Sequence, residues 1–166
     1  IFDEVFSEGW LAPYSFLVQA SYAYTDSEVK AGEDDFIITP TGSTVRATDF
    51  VVTGSRLQGQ SEHVASLQLG FEDEMSQGTL LFTYTSERAS ARGPGGQPDI
   101  VQEPGLMLDF VYRRDFATWG RPFTMKFKAG NLLDEDFLES QTFGREILVN
   151  QYDLGRSFSV DLSTKF

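Results

Sequence analysis

Apolar and polar residues take turns along segment after segment of this chain. A period of two is the mark of a strand, because successive side chains leave a strand on opposite sides. In SFLVQASYAYT, Phe16, Val18, Ala20, Tyr22 and Tyr24 share one face, against Leu17, Gln19, Ser21, Ala23 and Thr25. HVASLQLGFED sets Ala65, Leu67, Leu69 and Phe71 against Ser66, Gln68 and Gly70, and TLLFTYTSE sets Leu80, Phe82 and Tyr84 against Leu81, Thr83 and Thr85. GLMLDFVYR places Leu106, Leu108, Phe110 and Tyr112 opposite Met107, Asp109, Val111 and Arg113. FTMKFKA places Phe123, Met125, Phe127 and Ala129 opposite Thr124, Lys126 and Lys128. The tail GRSFSVDLSTKF keeps Phe158, Val160, Leu162 and Phe166 on one parity to its last residue. Helical periodicity is missing. The expected fold class is all-β and antiparallel, with six clear strands, and IFDEVFSE as the end of another.

The connections alternate in length. LAPY, EDEMSQG and FATWGRP are short; Lys30–Gln60, ARGPGGQPDIVQEP and LLDEDFLESQTFGREILVNQ are long. Antiparallel strands crossing a membrane produce this sorting, with tight turns on the periplasmic side and larger loops outside. A soluble sandwich has no reason for it.

Charge placement points the same way. A lysine or arginine on the lipid face of a transmembrane barrel costs about 2–4 kcal/mol at the midplane and about 0–1 near the interface. Asp109, Arg113, Lys126, Lys128, Asp161 and Lys165 all fall on the polar parity, as lumen-facing charges would. Arg114 shares the apolar parity and is expected at a strand end beside FATWGRP. Trp10, Tyr14 and Phe16 flank one short turn and Phe116, Trp119 and Phe123 another, which suggests an aromatic girdle at a membrane interface.

Composition excludes several classes. A net charge of -12 disfavours nucleic-acid binding, which relies on cations meeting phosphates. With no cysteine and one histidine, His63, disulfides, thiolate metal sites and most zinc or triad chemistry are out. Asp34, Asp35 and the run from Asp134 to Glu139 lack calcium-loop spacing. RGPGGQP lacks the Gly-Lys-Ser/Thr ending of a phosphate loop and is expected to be a mobile external loop. No cofactor, metal or catalytic residue is expected, and no enzyme. No apolar run reaches the roughly 18–20 residues of a transmembrane helix, and no signal peptide is visible in IFDEVFSEGW, as expected either of a cytosolic protein or of a chain whose beginning is missing.

Six or seven strands do not close an outer-membrane barrel, whose smallest members have about eight. Two completions are open: another strand within the long first loop, for which DFVVTGSRL is the candidate, or further strands on another segment. The start inside strand-like residues favours the second.

GLMLDFVYRR, FTMKFKAGNLLDEDF and YDLGRSFSVDLSTKF, in this order, resemble the C-terminal end of a TonB-dependent outer-membrane receptor. In that family an N-L-[FL]-D motif closes the penultimate strand, matched by Asn131, Leu132, Leu133 and Asp134. A tyrosine-x-x-Gly-Arg entry to the last strand is matched by Tyr152, Gly155 and Arg156, and the terminal aromatic by Phe166. The resemblance implies that residues 1–166 are the C-terminal segment of a 22-stranded barrel in the bacterial outer membrane. The N-terminal plug and earlier strands lie outside this chain. The complete receptor would import a scarce nutrient, such as a siderophore, haem, cobalamin or a glycan, with energy from TonB passed through the plug. The last strand, with Phe158, Val160, Leu162 and Phe166, is similar to the signal read by the barrel-assembly machinery, a case of strand augmentation. Expected partners are therefore outer-membrane lipid, the remaining strands and plug, TonB, the assembly machinery and a small-molecule or glycan substrate. Two other interpretations remain: a small closed barrel with a structural, adhesive or enzymatic role, and a soluble β-sandwich binding module.

Overall fold

A computed structural model describes residues 13–39, 41–93 and 97–164. The expected strand over IFDEVFSE, Trp10, Lys165 and Phe166 lie outside the described residues. In chain order the strands are β1 (Ser15–Tyr24), β2 (Phe36–Ile38), β3 (Thr44–Arg46), β4 (His63–Glu72), β5 (Ser76–Thr85) and β6 (Arg88–Ala91). They continue as β7 (Ile100–Gln102), β8 (Gly105–Thr118), β9 (Arg121–Gly130), β10 (Phe137–Thr142), β11 (Glu146–Tyr152) and β12 (Ser157–Thr164). The described residues hold no α-helix, only a short 3-10 turn at Ala47–Asp49. The fold is all-β, and every strand pair is antiparallel.

The six alternating segments form one sheet, in the order β1-β4-β5-β8-β9-β12. Its two edges do not meet: β1 pairs only with β4, and β12 only with β9. The register decides what the sequence left undefined. A row across the sheet joins Phe16, Phe71, Gly78, Tyr112, Phe127 and Val160. The next row joins Val18, Leu69, Leu80, Phe110, Ala129 and Phe158. Apolar parities that each strand could have carried alone thus fuse into a single surface. A slip of one residue in any pairing would turn that strand's apolar set to the other side.

The strands are also staggered. Phe16 stands one residue inside the short-turn end of β1, whereas Tyr112 and Phe127, in its row, stand six residues inside theirs. Progressive stagger is the geometry of strands tilted as in a barrel wall.

Short turns gather at one end. Asp73 shapes the first: its Oδ1 accepts from the backbone N–H of Met75 at 2.7 Å and of Ser76 at 2.6 Å. Trp119 (φ 49) and Gly120 (φ 71) make the second, a two-residue hairpin between paired Thr118 and Arg121. Positive φ at both central positions matches the twist of the flanking strands.

The long connections leave from the opposite end, and two of them are more ordered than the sequence predicted. Beyond the six-stranded body, β6, β7, β10 and β11 form a second, outer sheet in the order β11-β10-β7-β6. This order repeats that of β12-β9-β8-β5 beneath it, since β6 follows β5, β7 precedes β8, β10 follows β9 and β11 precedes β12. The base of RGPGGQP is tied down: the Arg92 guanidinium reaches Asp99 at 2.5 Å, and the Gly93 N–H donates to Asp99 Oδ1 at 3.3 Å. The first long connection holds the β2–β3 hairpin. The strand expected at DFVVTGSRL is not formed. Phe50 and Val51 donate back to Ala47 O, and Gly54 turns at φ 89, leaving only a bridge between Val29 and Ser55.

Candidate membrane-facing surface and outer junction

Within the six-stranded sheet, one face is built from Phe, Leu, Val, Tyr and Ala of every strand. No other strand packs broadly across it. On the edge strands Val18, Tyr22, Phe158, Val160 and Leu162 are more than half exposed, while on the central strands Leu80, Phe82, Phe110 and Phe127 are partly shielded and Ala129 is buried. The described hydrophobic core consists of Ala47 and Ala129 alone, and no large side chain is fully buried. A water-soluble domain of about 150 residues buries roughly 68–70% of its unfolded surface around a core. The described residues of this sheet hold no core of that kind.

Rings line the surface toward the short turns. Tyr14 meets Phe71 edge-on at 6.0 Å, Phe71 meets Tyr112 at 6.4 Å, and Phe116 stacks on Phe123 at 5.8 Å. Gly78 makes room for this row, because a Cβ there would run into the Phe71 ring. Trp119 projects from the hairpin tip, 90% exposed. At the far end of the same face, His63 Nδ1 lies 2.8 Å from Tyr22 Oη, with the Tyr24 ring 5.4 Å away. Charge on this parity is limited to Arg114 and Arg121, with His63 at the opposite end. Arg114 is not at a strand end as expected, since β8 runs on to Thr118. It pairs with Ser76, the first residue of β5, and so stands level with the adjacent turn. That turn is acidic, and the Met75 and Ser76 amides hold the Asp73 carboxyl below its ordinary value, with Arg114 helping and partial desolvation opposing.

The opposite face carries the charges. Asp109, Arg113, Lys126, Lys128 and Asp161 all lie on it, as the parity required. Arg113 pairs with Asp115 at 2.7 Å, Lys128 with Asp161 at 3.7 Å, and Thr124 donates to Asp115 at 2.6 Å. Lys126 stands in register between Arg113 and Asp161.

The two sequence motifs meet where the sheets join. Asn131 (φ 53), Asp134 (φ 62) and Gly155 (φ 65) all adopt the left-handed conformation. Asn, Asp and Gly are the residues that tolerate it best. The 6% exposed Asn131 donates from Nδ2 to Glu135 O at 2.9 Å and to Gly155 O at 3.1 Å, and accepts at Oδ1 from the Glu135 N–H. Its own backbone N–H leaves the ladder and donates to Asp109 Oδ1 at 2.9 Å, which ends β9. Leu132 donates its N–H to Leu108 O and accepts at its carbonyl from Arg156 Nε at 3.1 Å. Arg156 also faces Asp134, 3.3 Å apart. Leu133 is half exposed and makes none of these bonds. Tyr152 closes β11 rather than opening β12, and it stacks on Phe137 across the outer sheet at 4.5 Å. Sequence reasoning missed the roles of Glu135 and Phe137 and the capping role of Asp109; the last carried no signal, because Asp109 lies inside β8 and meets Asn131 only through the pairing of β8 with β9.

No family model, curated protein or solved structure matches the chain. Among the described residues no group of three or more His, Asp or Glu side chains converges to hold a metal ion. The chemistry on display is that of surfaces: one apolar with charge only toward its ends, one ion-paired, and an outer sheet carried on connections rich in carboxylates.

Proposed function

We propose that this chain forms the C-terminal strands of a TonB-dependent receptor barrel in a bacterial outer membrane, working in the import of a scarce nutrient. One observation carries it: a six-strand apolar surface, nearly free of charge, with no described cover and with every described long connection at one end. Lipid is the environment in which that surface and the ion-paired face opposite are both satisfied. The free edges of β1 and β12 support the fragment reading, since unpaired N–H and C=O groups in lipid cost several kcal/mol each. The remaining strands would cover those edges, the plug would sit against the charged face, and TonB would act through the plug. β12 would serve as the strand read by the assembly machinery. The resemblance gains support from the bonding of its motif residues, Asn131 to Gly155 and Asp134 to Arg156, in one junction.

The test is depth. Nitroxides at Leu108, Phe127 and Val160 should be accessible to oxygen and shielded from a water-soluble relaxant, with Lys126 and Ser159 showing the reverse. A monodisperse, detergent-free monomer with those sites buried in protein would end the proposal. Alternating strands and a plug in the residues upstream would support a receptor; a signal peptide abutting Ile1 would leave the small closed barrel instead.

A further inference from the structure

The connections between the six-stranded sheet and the outer sheet bend at residues with positive φ: Gly105 at the start of β8, Asn131 and Asp134 after β9, Gly155 before β12. Such bends would leave two sheets free to rock unless something spans them. Asn131 does. Its amide ties the arm leaving β9, at Glu135, to the arm entering β12, at Gly155. Its backbone N–H ties both to a carboxylate on the charged face of the body, Asp109. The site is tight as well as bonded. A Cβ at Gly130 would stand 2.7 Å from Ser157 Oγ and 3.5 Å from Asp109 Oδ1, and one at Gly105 would run into the Glu135 carboxylate.

From this convergence we infer that Asn131 is a positioning residue that fixes the attitude of the outer sheet on the body and mechanically links it to Asp109. A group that competes for Asp109 from the charged face is then felt in β10 and β11. The importance of this link for ligand selection rests on the receptor reading, in which the outer sheet meets the ligand; the link itself does not.

The test uses pairs of spin labels introduced by cysteine substitution in the full-length protein in lipid nanodiscs, read as distance distributions. Leu148→Cys with Gln77→Cys reports outer sheet against body; Gln77→Cys with Ser159→Cys reports the body alone. Asn131→Gly, which keeps the backbone free and removes the amide, should broaden the first distribution about twofold and leave the second unchanged. Asp109→Ala should do the same, and Asp109→Asn, which retains an acceptor oxygen, should restore most of the narrowness. An unchanged first pair in Asn131→Gly, or equal broadening of both pairs, overturns the inference. A response to Asn131→Gly without one to Asp109→Ala overturns the link to the charged face. Should Asn131→Gly fail to fold, Asn131→Asp keeps the tolerated conformation, replaces the donor with a charged oxygen that faces the Glu135 and Gly155 carbonyls, and carries the same comparison. If the protein proves water-soluble, the receptor reading falls, and the same pairs measured in buffer still decide the link.

Discussion

The six-stranded body and the long-connection end are made by the same chain, partly by the same continuing strands, yet they obey different rules. The three long connections (residues 25–62, 86–104 and 131–156) carry seven, three and six carboxylates against three, two and two cations. The strands and short turns of the body carry six carboxylates against five cations. Below the junction, apolar residues keep one parity for up to five positions in a row. Above it, Ile147, Leu148 and Val149 run consecutively in β11, whose residues are exposed on both faces. Alternation is enforced where one side of a sheet must stay free of polar groups, and it lapses where both sides are wet. The boundary between the regimes is a few residues thick and coincides with the Asn131 junction.

The sharpest way to break this comparison is to place a charge on each face in turn. On the proposed reading Leu80→Arg, near the middle of β5 on the apolar face, costs about 2–4 kcal/mol. Its neighbour Leu81→Arg, on the charged face, costs less than about 1 kcal/mol, because a wet face admits the guanidinium. Urea titrations of folding into lipid vesicles measure both, and equal costs would dissolve the distinction between the faces. Next comes Gly78→Val, which displaces the Phe71 ring and is expected to cost about 1–3 kcal/mol by the same titration. Most of that cost should vanish in a Phe71→Ala background. In the outer region, Tyr152→Ala removes the stack on Phe137 and should cost about 0.5–1.5 kcal/mol, confined to β10 and β11. Hydrogen exchange should quicken there and stay unchanged in β4 and β5. The smallest effect is at the turn. The Asp73 carboxyl titrates below its ordinary 3.8, so its contribution is present above that value and fades as pH falls through the lowered one. Faster exchange of the Met75 and Ser76 amides at pH 3 than at pH 6, after correction for intrinsic rates, checks it, and Asp73→Ala should abolish the difference.

The six body strands were legible because each spells its own period: Phe16, Val18, Ala20, Tyr22 and Tyr24 need no partner to be seen as one face. Their fusion into one surface was not legible, since it depends on register, and register is a relation between strands. The outer strands escaped notice for a different reason. RASA and FLESQT are short; RASA has only Ala89 and Ala91 on its apolar parity, and in FLESQT Phe137 and Leu138 are adjacent with Glu139 on the parity of Phe137, so periodicity had little to act on. The motif residues stood out by position and their conformation by type, Asn131 and Asp134 being residues that accept positive φ. Their bonds did not, because Asp109 and Asn131 are brought together by the pairing of β8 with β9. Arg114 was misplaced for lack of one fact, that β8 outlasts the hairpin beside it.

The register of the outer sheet shifts by a residue at Glu139/Ser140 and at Ala89/Ala91, whereas no such shift interrupts the body. A single residue gained or lost in the outer sheet can therefore be absorbed by a bulge, as it is at these two places. In the body a single added residue that no bulge absorbed would turn the rest of its strand over, apolar side chains to the charged face.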